Sequence, residues 1–478
     1  MPFPFALPTT SSFSFSSSFA SESHPSLPLN ASTSRGVVRD ALKRYKRLPP
    51  SAQESTLPSI ISKLDAYLPY AFAIDAGLSR ASQHGEEINV VLTSTPVIQW
   101  RPTISDNVVP GREVPKVKVQ SLEYDLFFML STLGYARTLL ARALLRPLYL
   151  TSGASMSPEE REDAIKNATK HLLDATSVHI YVARRAQALS TTPPCADIAQ
   201  PTAETLVSLA LAEATLLGVL KDDIHSAEVA ENRKDNPQYQ QWAKDKEARE
   251  NFESRIRLCA HLCLDAAQHA ENASACWREA AGKGTTKLHH SLIRYMEALK
   301  KTSRAKACRF FGIDAERSGQ IGTALGWLEC GLEELRDAKK GLSLGRLGKD
   351  WSEMREDKKV EKGTNWGSDA GMMEETRVIE SLKQKWTTFN SMLAQKIPST
   401  TTLRSNIPSG RALYRAKDIK PFQPPNLPRQ SLESMRALPD RADDYEGDGP
   451  SSDEDESPAV GAPGTPDNYR SESTRIYY

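Results

Sequence analysis

The run Ala280-Ala-Gly-Lys-Gly-Thr-Thr-Lys287 is the first place where residue types and spacing approach those of reactive machinery. A phosphate-cradling loop needs a leading glycine, a Gly-Lys pair followed by Ser or Thr, and a strand ahead of it. Here Gly284 takes the hydroxyl position, and neither the leading glycine nor the strand is present. GRLGKD at Gly345–Asp350 fails in the same way, and both runs read as turns. The six cysteines are Cys195, Cys259, Cys263, Cys276, Cys308 and Cys330, with no CxxC pair among them. Cys259 and Cys263 share a helical face, but no second ligand pair at zinc-like spacing follows, so no metal ligand is assigned. Buried free thiols in a reducing compartment account for all six. His289 and His290 are adjacent, so on a helix they point about 100° apart and at most one faces a site. His261 stands two residues from each of Cys259 and Cys263, a spacing at which helical side chains do not meet. HExxH, GxSxG and GxGxxG are absent. No catalytic residue or cofactor is expected, and an enzyme would need a deep polar pocket where distant His, Asp or Cys converge.

Charge excludes further classes. Lys plus Arg number 61 against 60 for Asp plus Glu, so no basic field steers the chain toward nucleic acid. Arg336–Lys362 is rich in cations, but acids interleave with them. A solvated helix or loop explains that stretch, a membrane-surface patch being the other reading. The hydrophobic share is 39%, below the usual globular value, as expected for a core-bearing portion diluted by polar ends. The N-terminus lacks a basic n-region and its apolar runs are broken by Pro and Ser, so it is not read as a secretory signal. The longest uncharged apolar helical stretch, Leu126–Ala136, falls short of the ~20 residues of a membrane span. The expected location is the cytoplasm.

With no reactive centre to position, the elements are read for binding surfaces. Residues 1–35, rich in Ser, Pro and Phe, are expected to be extended, with some of Phe3, Phe5, Phe13 and Phe15 lying along the domain surface. Helices are expected from Gly36 and again from Leu57. Asn89–Trp100, β-branched and split by Pro96, reads as two short strands or one hairpin, and Val114–Gln120 as a further strand. From Ser121 the chain is helical almost throughout. SLEYDLFFMLSTLGYARTLLARALL is apolar on every side, which marks a helix packed among several neighbours. Ser157-Pro-Glu-Glu160 supplies an N-cap, a first-turn proline and a capping-box glutamate. Ala315-x-x-x-Gly319 ahead of Ala324-Leu325-x-x-Leu328 resembles a tetratricopeptide-type hairpin, in which small residues let two helices nest. Beyond about Pro428 the acidic run DDYEGDGPSSDEDESP has little apolar content and is expected to be disordered. Ser451 and Ser452, ahead of four acids, are candidate sites for an acidophilic kinase.

Three segments resemble the BRO-type domain family, the helical module shared by ALIX, PalA and PalC. LKQKWTTFNSMLAQKIP resembles the family's last helix, ending in Asn390, Met392-Leu393 and Ile397-Pro398. AKACRFFGIDAERSGQIGTALGWLECGLEEL resembles its AxxxGxxIAxL hairpin, and SLEYDLFFMLSTLGYARTLLA its buried early helix. MPFPFALPTTSSFSF, RGVVRDALK and SGRALYRAKDIKPF are similar to the PalC family of fungal pH-response regulators. The resemblance implies a mainly α, curved helical solenoid with a small β-sheet near the N-terminal third. It spans residues 1–425, with a disordered acidic tail over 426–478. It also implies a non-catalytic adaptor that binds the C-terminal amphipathic helix of the core ESCRT-III filament subunit. That adaptor would meet pH-receptor components at the cell cortex, reach plasma or endosomal membranes through its partners, and help assemble the complex that proteolytically activates a transcription factor.

By the same resemblance the receiving groove falls at Leu217, Leu258 and Leu262; Gly218 stands beside the slot where the family carries an aromatic. Leu258 and Leu262, four apart, share a helical face, as a helix-in-groove site requires. Core packing is the plainer role for each leucine. Arg411 and Tyr414, in an extended proline-flanked segment, are a second candidate, the alternative being a strand that pins itself to the domain. The competing function is a tetratricopeptide-like scaffold gripping another peptide, such as a chaperone tail, with a carboxylate clamp of Lys and Asn.

Overall fold

The computed structural model describes residues 1–105, 114–150, 156–232, 246–281, 289–341 and 349–437. Helices α1 (Leu27–Arg47) and α2 (Pro50–Leu78) form an opening pair. Helicity therefore begins within the stretch expected to be extended over 1–35. Pro28 in the first turn suits a helix start, and Ala31, Arg35, Val38, Leu42 and Tyr45 are buried in one stripe that runs straight through Gly36.

The phenylalanines ahead of α1 also depart from expectation. Phe3, Phe5 and Phe15 are buried in the core instead of lying along its surface. Phe5 stacks on Tyr135 at 4.6 Å, and Phe3 meets Tyr295 edge-on at 5.0 Å while its N–H donates to Glu213 Oε1 at 2.8 Å. A polar, serine-rich segment enters a core only because its aromatics and its backbone groups both find partners there.

Short strands flank this arm: β1 (Thr9–Thr10), β2 (Phe19–Ala20), β3 (Ser82–Gln83), β4 (Glu86–Glu87), β5 (Val91–Leu92), β6 (Ile98–Arg101) and β7 (Val117–Val119). β6 lies between β1 and β7, all antiparallel, with Thr9 opposite Arg101 and Ile98 opposite Val119. β5 pairs with β2, so Asn89–Trp100 holds two strands of different sheets and no hairpin. Trp100 stacks on Phe128 at 4.8 Å, and its Nε1 donates to Asp125, which also holds Arg35 at 2.9 Å in a wholly buried pair.

The helical stack follows: α3 (Leu122–Leu145), α4 (Pro158–Gln187), α5 (Gln200–Asp222), α6 (Ile224–Asn232), α7 (Lys246–Ala281), α8 (His290–Arg317) and α9 (Ile321–Gly341). The main helices pack in sequence order, with α5 against α7 and α6 a short spur, which is the arrangement of a solenoid. α3 is buried on nearly every side. Gly134 leaves room on it for the His179 ring, whose Cε1 would lie 2.6 Å from any added Cβ. Ser157 and Glu160 form the capping box of α4. At the α8–α9 hairpin Gly319 takes φ +75°, and Gly312 faces the Ala324 carbonyl so closely that a Cβ would stand 3.2 Å away. α5 is long and apolar enough to cross a membrane, but 78% of its most apolar window is buried within the protein.

α10 (Lys349–Lys362), α11 (Met372–Leu393), α12 (Thr400–Ser405) and α13 (Arg429–Glu433) complete the described elements. Arg309 of α8 reaches Asp223, at the α5–α6 break, at 2.6 Å and Glu375 of α11 at 2.7 Å. Its guanidinium holds both carboxyls below their ordinary range despite complete burial. Asp223 also accepts from the Ser226 N–H and hydroxyl and so caps α6. The compact unit runs Met1–Ala437, past the boundary expected at 425, with Leu427, Leu432 and Met435 buried and the Ala437 N–H bonded to the Ser23 carbonyl. Most of the expected acidic tail, Ser451 and Ser452 included, lies outside the described residues, as do most of the two glycine-lysine runs.

Candidate functional site

After α12 the chain crosses the outside of the helical stack as an extended strap, residues 406–422. Its first hold is on α7: the Arg411 N–H donates to the His261 carbonyl at 3.1 Å, and His261 Nδ1 lies 2.7 Å from the Ser409 carbonyl oxygen. Gly410 sits so close to α7 that a Cβ there would stand 2.5 Å from the Asp265 nitrogen, so only glycine fits. The second hold is on α5, where Leu413 Cδ2 occupies the space a Gly218 side chain would fill, 2.7 Å from the Cβ position. Farther on, the Ser177 hydroxyl donates to the Lys420 carbonyl, the Phe422 N–H donates to the Ser177 carbonyl, and the Phe422 ring joins Phe72 and Tyr181.

This path places the sequence candidates. Leu217 is 2% exposed and faces inward among Leu145, Leu148, Leu172 and Trp366. Leu262 is buried and Leu258 half-buried, both packing with the main core, so Leu258 keeps the most surface of the three leucines. Tyr414 is half-buried and packs both against the cluster that holds Leu217 and against Ile180, Val207 and Leu211; burial raises its phenol above the ordinary value. Arg411 is exposed, and its side chain extends from the strap. Leu217 and Tyr414 thus share one cluster through the α5–strap contact, while Leu258 and Leu262 lie on α7 within one turn of the strap's first hold. The half-buried Phe311 of α8, with Trp327 at 5.0 Å and His261 edge-on at 6.4 Å, extends the apolar seam beyond α7.

Sequence reasoning passed over Leu413, Arg415 and Lys417. In the strap, Arg411, Leu413, Arg415 and Lys417 are exposed while Ala412, Tyr414 and Ala416 are half-buried, the alternation of an extended chain with one face on the protein. Arg411, Arg415, Lys417 and Lys420 have no ion-pair partner among the described residues. The available signal was the charge run: Ser381–Lys417 holds seven Lys or Arg and no Asp or Glu. The seam between α5, α7 and the strap is therefore amphipathic, apolar at Leu258 and Leu413 and cationic along the strap.

Nothing comparable supports catalysis. Among the described residues no group of three or more His, Cys, Asp or Glu is placed to hold a metal. Burial raises the Cys259 thiol to about 12 and the Cys263 thiol well above its ordinary value, which disfavours the reactive thiolate. A small recess of about 50 Å³ beside Leu217 is lined mainly by apolar groups such as Leu148, Leu216 and Val378, and its Asp223 is committed to Arg309.

No family model matches the chain. Over 517 aligned residues it is 36% identical to the pH-response regulator protein palC of Emericella nidulans, with all of both chains covered. Among solved structures it is similar to ALIX in complex with the SIVmac239 PYKEVTEDL late domain, at 15% identity and TM-score 0.54, over 90% of this chain and 50% of that one. It thus spans half the length of that ALIX chain. It is also similar to ALIX BRO1 in a complex with CHMP4C, at 14% identity and TM-score 0.51, over 88% of this chain and 96% of that one. At such identities the structural likeness shows a BRO1-type fold.

Proposed function

This chain belongs to the PalC family of pH-response regulators, and from that premise we propose that it is a non-catalytic adaptor that binds the C-terminal amphipathic helix of the core ESCRT-III filament subunit. In this reading it acts in the cytoplasm, is recruited to the cortex or to endosomal membranes, and helps assemble the complex that activates a pH-responsive transcription factor by proteolysis. The observation that carries the reading is the α5–α7–strap seam. An amphipathic helix laid along it would bury apolar side chains against Leu258 and Leu413 and turn an acidic edge to Arg411, Arg415 and Lys417. ALIX BRO1, of the same fold, has been captured in a complex with CHMP4C, which supports a protein partner for such a scaffold.

The competing scaffold reading asks for free Lys and Asn to clamp a terminal carboxylate. The open cleft between α7, α8 and the start of the strap has cations, but each is engaged: Lys300 with Glu271 at 2.7 Å, Arg304 with Glu334 at 3.3 Å and Arg404 with Glu333 at 3.0 Å.

Titration of the purified chain with the ESCRT-III helix peptide tests the proposal. Leu258→Asp with Leu413→Asp should weaken binding by about a hundredfold or more while circular dichroism stays unchanged, because it buries unpaired charge in the complex. Undiminished binding would move the site elsewhere, and absence of binding by wild type would sink the adaptor reading.

A further inference from the structure

The end of α11 carries the most exposed apolar surface in the described molecule. Phe389, Met392 and Leu393 are 59%, 80% and 56% exposed, and Ile397, just beyond the helix, is 48% exposed. The first three fall at the i, i+3, i+4 positions of one helical face, the same face that buries Val378, Leu382 and Trp386 earlier in the helix, so the apolar stripe continues into solvent at this end.

Specific bonds hold this end in shape. Ala394 closes the helix in the left-handed region at φ +49°, and its N–H donates to the Asn390 carbonyl at 2.8 Å. The Asn390 amide bonds both backbone groups of Gln395, at 3.1 and 3.2 Å. The Gln395 amide in turn accepts from the Gly322 N–H at 3.0 Å and donates to the Gly319 carbonyl at 2.9 Å, anchoring the turn to the α8–α9 hairpin. The apolar tip is thus held out by a polar clamp.

Its shape and charge select the occupant. A side chain 80% exposed stands on a convexity, whereas a partner helix is received in a groove. A bilayer interface deforms around protruding apolar groups, and anionic headgroups favour cations beside them. Lys396 lies within the patch, and Lys385, one turn before Phe389, is over half exposed with Nζ 3.4 Å from Glu228. The stretch Ser381–Lys417 itself holds no carboxylate, the nearest acids being Glu228 and Glu329 of neighbouring helices, paired with Lys385 and Lys383.

We propose that this tip is a direct membrane contact: Phe389, Met392, Leu393 and Ile397 enter the acyl boundary of an anionic bilayer while Lys385 and Lys396 meet its headgroups. The contact is separate from the α5–α7–strap seam and adds a lipid ligand to the protein partners.

Flotation of the full chain with phosphatidylcholine vesicles, with and without phosphatidylserine, tests it. Wild type should float with the anionic vesicles, and Phe389→Ser, Met392→Ser and Leu393→Ser together should cut the bound fraction by about tenfold or more. Lys396→Glu should weaken binding to anionic vesicles only. The triple variant should keep its circular dichroism and its affinity for the ESCRT-III helix peptide, which separates this test from that of the seam. Failure of wild type to float, or undiminished flotation of the triple variant, would overturn the proposal. So would a wild-type dimer that the triple variant converts to monomer, since the tip would then serve a second copy of the chain.

Discussion

Two extended segments cross this helical stack, and they do so in opposite senses. The N-terminal arm threads through it: Phe3 and Phe5 are buried between Tyr295 and Tyr135, and the Phe3 N–H is satisfied by a buried Glu213. The C-terminal strap lies over it, resting on Gly218 and His261 by backbone and small contacts and turning Arg411, Arg415 and Lys417 to solvent without ion-pair partners among the described residues. Both are irregular chain, so secondary structure does not separate them. Whether side chains are satisfied inside or offered outside does, and it divides a structural tie from a binding surface.

Core truncation should show the largest divergence. Phe3→Ala and Phe5→Ala should each cost about 3–5 kcal/mol in denaturant unfolding, whereas Leu413→Ala and Arg415→Ala should stay near about 0.5 kcal/mol. Equal costs in arm and strap would erase the distinction. Among charges, Arg35→Ala strands the buried Asp125 carboxylate and should cost about 3–5 kcal/mol, while Arg415→Glu with Lys417→Glu should leave stability nearly unchanged. That double reversal should instead weaken binding of the helix peptide by about tenfold or more.

The arm's anchor has a pH signature. Burial pushes the Glu213 carboxyl from 4.5 up to about 7, so the folded protein keeps a proton that the unfolded chain releases. Its contribution is full below about pH 4.5 and is lost by about 3 kcal/mol as pH rises to about 7. Burial pushes His179 from 6.5 down to about 4, so the unfolded chain binds that proton first. Its contribution is full above about pH 6.5 and is lost by a similar amount as pH falls to about 4. The two slopes oppose each other between about pH 4.5 and 6.5. Glu213→Gln should therefore show stability rising more steeply with pH there than wild type, measured by urea unfolding; parallel profiles would refute the assignment.

The smallest effect sharpens the strap side. Gly218→Ala should gain up to about 1 kcal/mol from helix propensity, since the clash is only with the mobile end of Leu413. Helix-peptide binding should nonetheless fall severalfold as Leu413 is displaced, and unchanged binding would remove Leu413 from the surface.

Much of the helical scaffold was readable. The all-round apolar character of α3 announced its burial, Ser157 to Glu160 announced the start of α4, and the small residues around Gly319 announced the α8–α9 hairpin. Each signal is local, set by side-chain period or by groups within one turn. The arm was misread because Ser and Pro between its phenylalanines suggest solvent, and their burial depends on Tyr135, Glu213 and Tyr295, more than a hundred residues away. The strap was read only in part: Arg411 and Tyr414 stood out, while Leu413 has no meaning until Gly218 lies beneath it.

The sequence by itself determined a helix-rich stack without recognisable catalytic machinery, because periodicity, caps and the absence of motif spacing are properties of neighbouring residues. It determined family membership as well, through segments that keep their order along the whole chain. Only the tertiary structure decided which extended segment is core and which is surface, that Leu217 faces inward while Leu258 keeps some exposure, and that an apolar tip is clamped open at Asn390. Those outcomes turn on contacts between residues distant in the chain, and burial is a property of the packed assembly of helices that no local pattern encodes.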